Sequence, residues 1–99
     1  MTTDRQQILA ALAAHQPDLV QRFGVRRIAL FGSAARDELT DQSDVDVLVE
    51  FSGPASIDGY FGLKDHLEAL LGRPVDLVTE RGLKPRARRH VEKDLIRVA

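Results

Sequence analysis

The sequence has 99 residues, 43% hydrophobic and 29% charged, with a formal net charge of −1 and no cysteine. This is the composition of an ordinary globular protein, expected as one domain over residues 1–99. It excludes disulfide and thiolate-metal chemistry, and the near-zero charge gives no overall pull toward nucleic acid or membrane.

The opening residues, MTTDRQQ, lack a basic stretch followed by an apolar core, so no secretory leader is expected. No apolar run approaches the ~20 residues that span a bilayer. A cytoplasmic location is expected. Thr3 or Asp4 can cap a first helix, with Ile8, Leu9 and Leu12 on one face. Pro17 is expected to break that helix and to start a second short piece carrying Leu19, Val20 and Phe23, closed by Gly24. Residues 25–31 read as a strand, and residues 34–39 as a short turn or helix. Residues 45–51 form a second, β-branched strand, ended by Ser52-Gly53-Pro54.

Ser56 then caps a helix bearing Ile57, Tyr60, Phe61, Leu67, Leu70 and Leu71, stopped by Gly72. Tyr60 and Phe61 are expected in the core. Pro74 precedes a short strand at 75–79. A last helix is expected over 83–98, with Leu83, Ala87, Val91, Leu95 and Val98 stepping by four, four, four and three. Opposite them Arg86, Arg89, Lys93 and Arg97 make a basic stripe, either a solvated face or a docking surface for an acidic partner or a phosphate-bearing ligand. Residues 81–99 hold seven Lys/Arg against Glu92 and Asp94, a local net of +5. The predicted fold class is α/β (α+β), a small sheet with helices packed on one face.

Two acids in the second oily run, SDVDVLVEF, need explaining. Side chains alternate along a strand, so Asp44 and Asp46 point to one face, about 6.6–7 Å apart at ~3.3 Å per residue. Val45, Val47 and Val49 point the other way. A partly buried carboxylate beside a like charge is costly, so something positive must compensate. A hard divalent cation suits oxygen ligands. Asp76, between Val75 and Leu77, repeats the pattern in the next strand. If the two strands pair, three carboxylates converge, as in two-metal phosphoryl-transfer sites with ions ~3.5–4 Å apart. Gly32 and Ser33, after the first strand, let backbone approach a ligand and offer an N–H and a hydroxyl to an anion. Arg36 contacts phosphate or neutralises Asp37 and Glu38. Ser43 orients Asp44 or fits the turn before the strand. His15, His66 and His90 show no metal spacing.

Gly32-Ser33, ten residues, then Asp44-Val45-Asp46 resembles the Gly-Ser-x10-Asp-x-Asp signature of nucleotidyltransferases related to DNA polymerase β. FGSAARDE, SDVDVLVEF and PVDLVTE together look like the minimal nucleotidyltransferase (MNT) domains, the small partners of HEPN-domain toxins. Asp37 departs from that pattern, which often has glycine there. The resemblance implies a mixed sheet, Mg²⁺ (two ions) and ATP or another nucleoside triphosphate. It implies transfer of AMP to a toxin tyrosine by an antitoxin. On that reading Asp44 and Asp46 hold both metals, Asp76 completes the metal site and helps deprotonate the acceptor, and Gly32, Ser33, Arg36 and Ser43 serve the nucleotide. A cognate HEPN toxin is the expected partner, with no membrane and no direct nucleic-acid binding. A contact-only antitoxin with an idle site, and transfer to a small-molecule acceptor, are the alternatives. The shortness of the chain favours an acceptor wall supplied by another protein.

Overall fold

A computed structural model describes residues 4–98. Helix α1 covers Arg5–Phe23. Asp4 caps it: its Oδ1 accepts from the Gln7 N–H at 2.8 Å, and Gln7 Oε1 accepts from the Asp4 N–H at 3.1 Å. The other proposed cap, Thr3, lies outside the described residues. Gly24 ends the helix at φ +67°. Pro17 does not break it, contrary to expectation. A mid-helix proline deletes one hydrogen bond and costs about 3 kcal/mol. Here Ile8 and Leu12 before it and Leu19 after it are all fully buried in the same core, which holds both halves in one continuous helix.

The sheet follows. Strand β1 is Val25–Phe31, β2 is Val45–Phe51, and the short helix α2, Gly32–Ala35, follows β1 directly. Helix α3, Ile57–Leu71, is capped by Ser56 Oγ accepting from the Gly59 N–H at 2.9 Å, and Gly72 stops it. Strand β3 is Val75–Thr79. A 3₁₀ turn, Glu80–Gly82, leads into α4, Pro85–Lys93, and then into β4, Ile96–Arg97. The strand order is β3-β2-β1-β4. β2 and β3 are parallel, and β1 is antiparallel to both β2 and β4.

β4 stands where the last helix was expected to continue. Helix α4 stops at Lys93. The β1 edge would otherwise present unpaired backbone groups. Ile96 pairs with Leu30, and the Val98 N–H donates to the Ile28 carbonyl at 2.9 Å. Both side chains pack against the core from there. Arg97 consequently lies on a strand, and only Arg86, Arg89 and Lys93 of the basic stripe share the helix.

One side of the sheet carries the core. Ile28, Leu30, Val45, Val47, Val49, Val75 and Leu77 meet Ile8, Leu12 and Leu19 of α1 and Leu63, Leu67 and Leu71 of α3. On α3 the inward stripe steps through Tyr60, Leu63, Leu67 and Leu71. Tyr60 packs on the core as expected, and its hydroxyl donates to the Leu77 carbonyl. Phe61 does not: it is 52% exposed, beside Ile57 at 77%. These two, four residues apart, share a neighbouring stripe that faces outward.

Candidate active site

The β2/β3 register decides the site. Asp46 lies directly opposite Asp76, and Val45 opposite Val75. In a parallel pair this sets the two acid-bearing Cα atoms about 4.8 Å apart. Both acids lie on the face away from the main core, because their neighbours Val45, Val47, Val75 and Leu77 point into it. Asp46 also pairs with Phe31 across β1, so the last residue of β1 delivers α2 to the same place. Asp44 sits just before β2 rather than inside it, and is exposed.

Gly32 makes this meeting possible. Its φ is +66°, a conformation that other residues adopt only with strain. A Cβ added there would overlap Asp46 Oδ2 and lie 3.2 Å from its Cγ. The Asp46 carboxylate therefore rests against the first peptide of α2, and any larger residue would displace it. Ser33 follows in the first turn of α2, whose N–H groups have no intrahelical acceptor.

Electrostatics mark Asp46 as the centre of the cluster. Its carboxyl is held above the usual carboxylate range, first by burial, then by the charges of Asp76 and Asp44, with Arg36 pulling weakly the other way. Asp46 thus feels both of the other acids in the folded chain. Among the described residues, no three acid or histidine side chains converge on a ready-made ligand point. The set nonetheless fits a hard cation by its chemistry. All its donors are carboxylate oxygens, and the central one carries a like-charge penalty that a cation would relieve.

Arg36 does not stand free. Its Nε donates to Glu38 Oε1 and its Nη1 to Asp94 Oδ2 at 2.7 Å, tying the end of α2 to the end of α4. Those two partners raise its pKa, Glu38 foremost. The hydroxyl of Ser43 is engaged within its own turn, 2.9 Å from Thr40 Oγ1 and accepting from the Thr40 N–H at 3.1 Å. Asp37 has φ +59°, where aspartate is one of the few tolerated side chains. Its Oδ1 accepts from the Arg5 N–H at 3.1 Å, and Arg5 Nη1 donates to the Ala35 carbonyl at 3.1 Å. The departure from glycine thus caps α1 and pins α2 to it.

Sequence reasoning missed one residue near the acids. Arg73 Nη2 donates to the carbonyls of Thr40 and Ser43, in the turn that precedes Asp44. An arginine three residues before Asp76 carries no signal of that contact, because its partners lie about thirty residues away in sequence.

The chain matches the family of nucleotidyltransferase domains over residues 12–98. It is 42% identical over 93 residues to the protein adenylyltransferase MntA of Thermococcus cleftensis, covering 94% of each chain. It is 41% identical to a solved structure assigned as a minimal nucleotidyltransferase, with a TM-score of 0.79 and 94% of each chain covered. It is alike in fold, at 19% identity and a TM-score of 0.67, to a Shewanella oneidensis structure of a tri-AMPylated HEPN toxin in complex with an MNT antitoxin, covering 92% of this chain and 71% of that one. Acids at two strand starts facing a glycine-led turn are what phosphoryl chemistry asks of a small sheet, and the chain belongs to the nucleotidyltransferase domain family, among its minimal nucleotidyltransferases.

Proposed function

We propose that the chain transfers AMP from ATP to a tyrosine hydroxyl of a HEPN-domain toxin, in a Mg²⁺-dependent reaction, and so acts as the antitoxin. The observation that carries this reading is the three-acid cluster set against the Gly32 peptide. The 42% identity to a protein adenylyltransferase supports a protein acceptor. A fold neighbour whose HEPN toxin carries AMP supports the kind of acceptor.

Gly32 and Ser33 seat the triphosphate, where the absence of a Cβ lets phosphate oxygens approach the backbone. Arg36 stands one turn further on; to reach a phosphate it must leave Glu38 or Asp94. Ser43 keeps the turn closed. Asp44 and Asp46 would hold two Mg²⁺ ions, with Asp76 as the third carboxylate ligand. When bound, the ions supply Lewis-acid charge that neutralises the reacting phosphates. The tyrosine oxygen bonds to the α-phosphorus, the bond to the bridging oxygen breaks, and pyrophosphate leaves. Asp76 accepts the phenolic proton, which an unassisted group of pKa ~10 gives up poorly at neutral pH. Positioning and charge stabilisation provide most of the rate.

Intact-protein mass spectrometry of the cognate HEPN protein tests this. With ATP, Mg²⁺ and this chain, its mass rises by one or more AMP units and pyrophosphate appears. Asp76→Asn abolishes the rise while the two proteins still bind. A partner that is neutralised yet unmodified would leave contact inhibition as the function.

A further inference from the structure

Asp44 differs from the other two acids. It lies outside the strand, it is exposed, and no ladder hydrogen bond of β2 fixes it. Its backbone is held instead on both flanks by the loop before β3. On one side Arg73 Nη2 donates to the Ser43 carbonyl at 3.2 Å and to the Thr40 carbonyl. On the other the Val45 N–H donates to the Pro74 carbonyl at 2.9 Å. Residues 73 and 74 are consecutive, and Asp76 follows two residues later.

The turn carrying Asp44 is closed internally. The Ser43 N–H reaches the Thr40 carbonyl at 3.1 Å, and the two hydroxyls lie 2.9 Å apart. A turn closed on itself keeps its shape, but its internal bonds do not set where it sits relative to β3. Arg73 bridges two of its carbonyls with one charged nitrogen and ties it to the loop before β3. A guanidinium suits this task because it is always charged and presents rigid, planar donors.

We infer that Arg73 is a positioning residue for the acid cluster. It fixes the turn of Asp44 to the loop of Asp76, and so sets the affinity for a divalent cation. The inference rests on reading Asp44, Asp46 and Asp76 as the cation ligands. Groups that orient ligands without touching the metal typically change its affinity 10–100-fold when removed.

The test is a double-variant cycle on the full chain without nucleotide, with Mn²⁺ as the probe. Free aqueous Mn²⁺ is followed by electron paramagnetic resonance. Arg73→Ala is expected to weaken Mn²⁺ binding about tenfold or more. Arg73→Lys recovers part of the loss, because an ammonium can reach a carbonyl but lacks the planar group. In the Asp44→Asn background, Arg73→Ala costs nothing further, since the ligand it places is already gone. Mn²⁺ affinity unchanged in Arg73→Ala, or a loss that simply adds to that of Asp44→Asn, overturns the inference while the ligand assignment stands. If Asp44→Asn alone binds like the wild type, the ligand assignment fails and the inference with it. Should Arg73→Ala not fold, Arg73→Lys carries the same cycle, with a coupled loss expected and an additive one overturning the inference.

Discussion

At the scale of single residues the site is a balance of like charges. Asp46 is the clearest case, because burial and two acidic neighbours raise its pKa in the folded chain. The sign of the effect on stability follows. A carboxyl whose folded pKa is raised favours folding below its unfolded value, near 3.9, and loses that contribution as pH rises through the folded value. At neutral pH the ionised Asp46 therefore opposes folding of the metal-free chain. Asp46→Asn is expected to raise the melting temperature in chelator at pH 7 by a few degrees. The gap between variant and wild type should close as pH falls toward 4. Melting curves recorded across that range decide it, and a variant that melts lower than the wild type at pH 7 refutes the charge-penalty account. Asp37 shows the opposite kind of adjustment. A residue in a glycine-favouring conformation gains the Arg5 N–H as a partner, so one strained position secures both a helix start and the turn beside the acids.

At the scale of elements, the strands that bear the acids were legible, and the chain end was not. Alternation fixes which way Asp46 and Asp76 point whatever the rest of the fold does, so Val45, Val47 and Val49 sufficed to place the first and Val75 and Leu77 the second. Gly32 was legible for the same local reason: a glycine directly after a strand. The expected final helix shows where locality fails. Leu83, Ala87, Val91 and Leu95 do step at helical intervals, but Ile96, Arg97 and Val98 alternate, and Ile96 and Arg97 become a strand because β1 offers a free edge. Pro17 fails in the opposite sense, since buried leucines on both sides override a local breaker. The β4 assignment has a direct check. Ile96→Asp places a charge where a half-buried side chain packs on the core. It should cost about 1–3 kcal/mol and lower the melting temperature by roughly 4–24 °C. A loss under ~0.5 kcal/mol would mean that this strand contributes little.

At the scale of the whole molecule, charge is segregated. The net −1 divides into +5 over residues 81–99 and −6 over residues 1–80. Arg86, Arg89 and Lys93 are all exposed on α4, while the acids gather at the starts of β2 and β3. On the proposed function a cation and a triphosphate would answer different parts of that pattern, each making the other easier to hold. Mg²⁺ and ATP together should therefore stabilise the chain more than the sum of either alone. Saturation at ~100 times the dissociation constant corresponds to about 2.7 kcal/mol. Thermal melts with each ligand and with both, at millimolar concentration, give the comparison; a melting point unmoved by the pair speaks against a nucleotide site. The parallel pairing of β2 with β3 has one more consequence. The spacing of Asp46 and Asp76 is set by the hydrogen-bonded ladder between their strands, not by the length of chain joining them. The exposed loop 52–56 and the outward stripe of α3 can therefore change without moving the two acids, while Tyr60, Leu63, Leu67 and Leu71 stay fixed by the core. Surface and ruler are thus uncoupled: exposed Ile57 and Phe61 can be exchanged while the distance between the two acids stays the same.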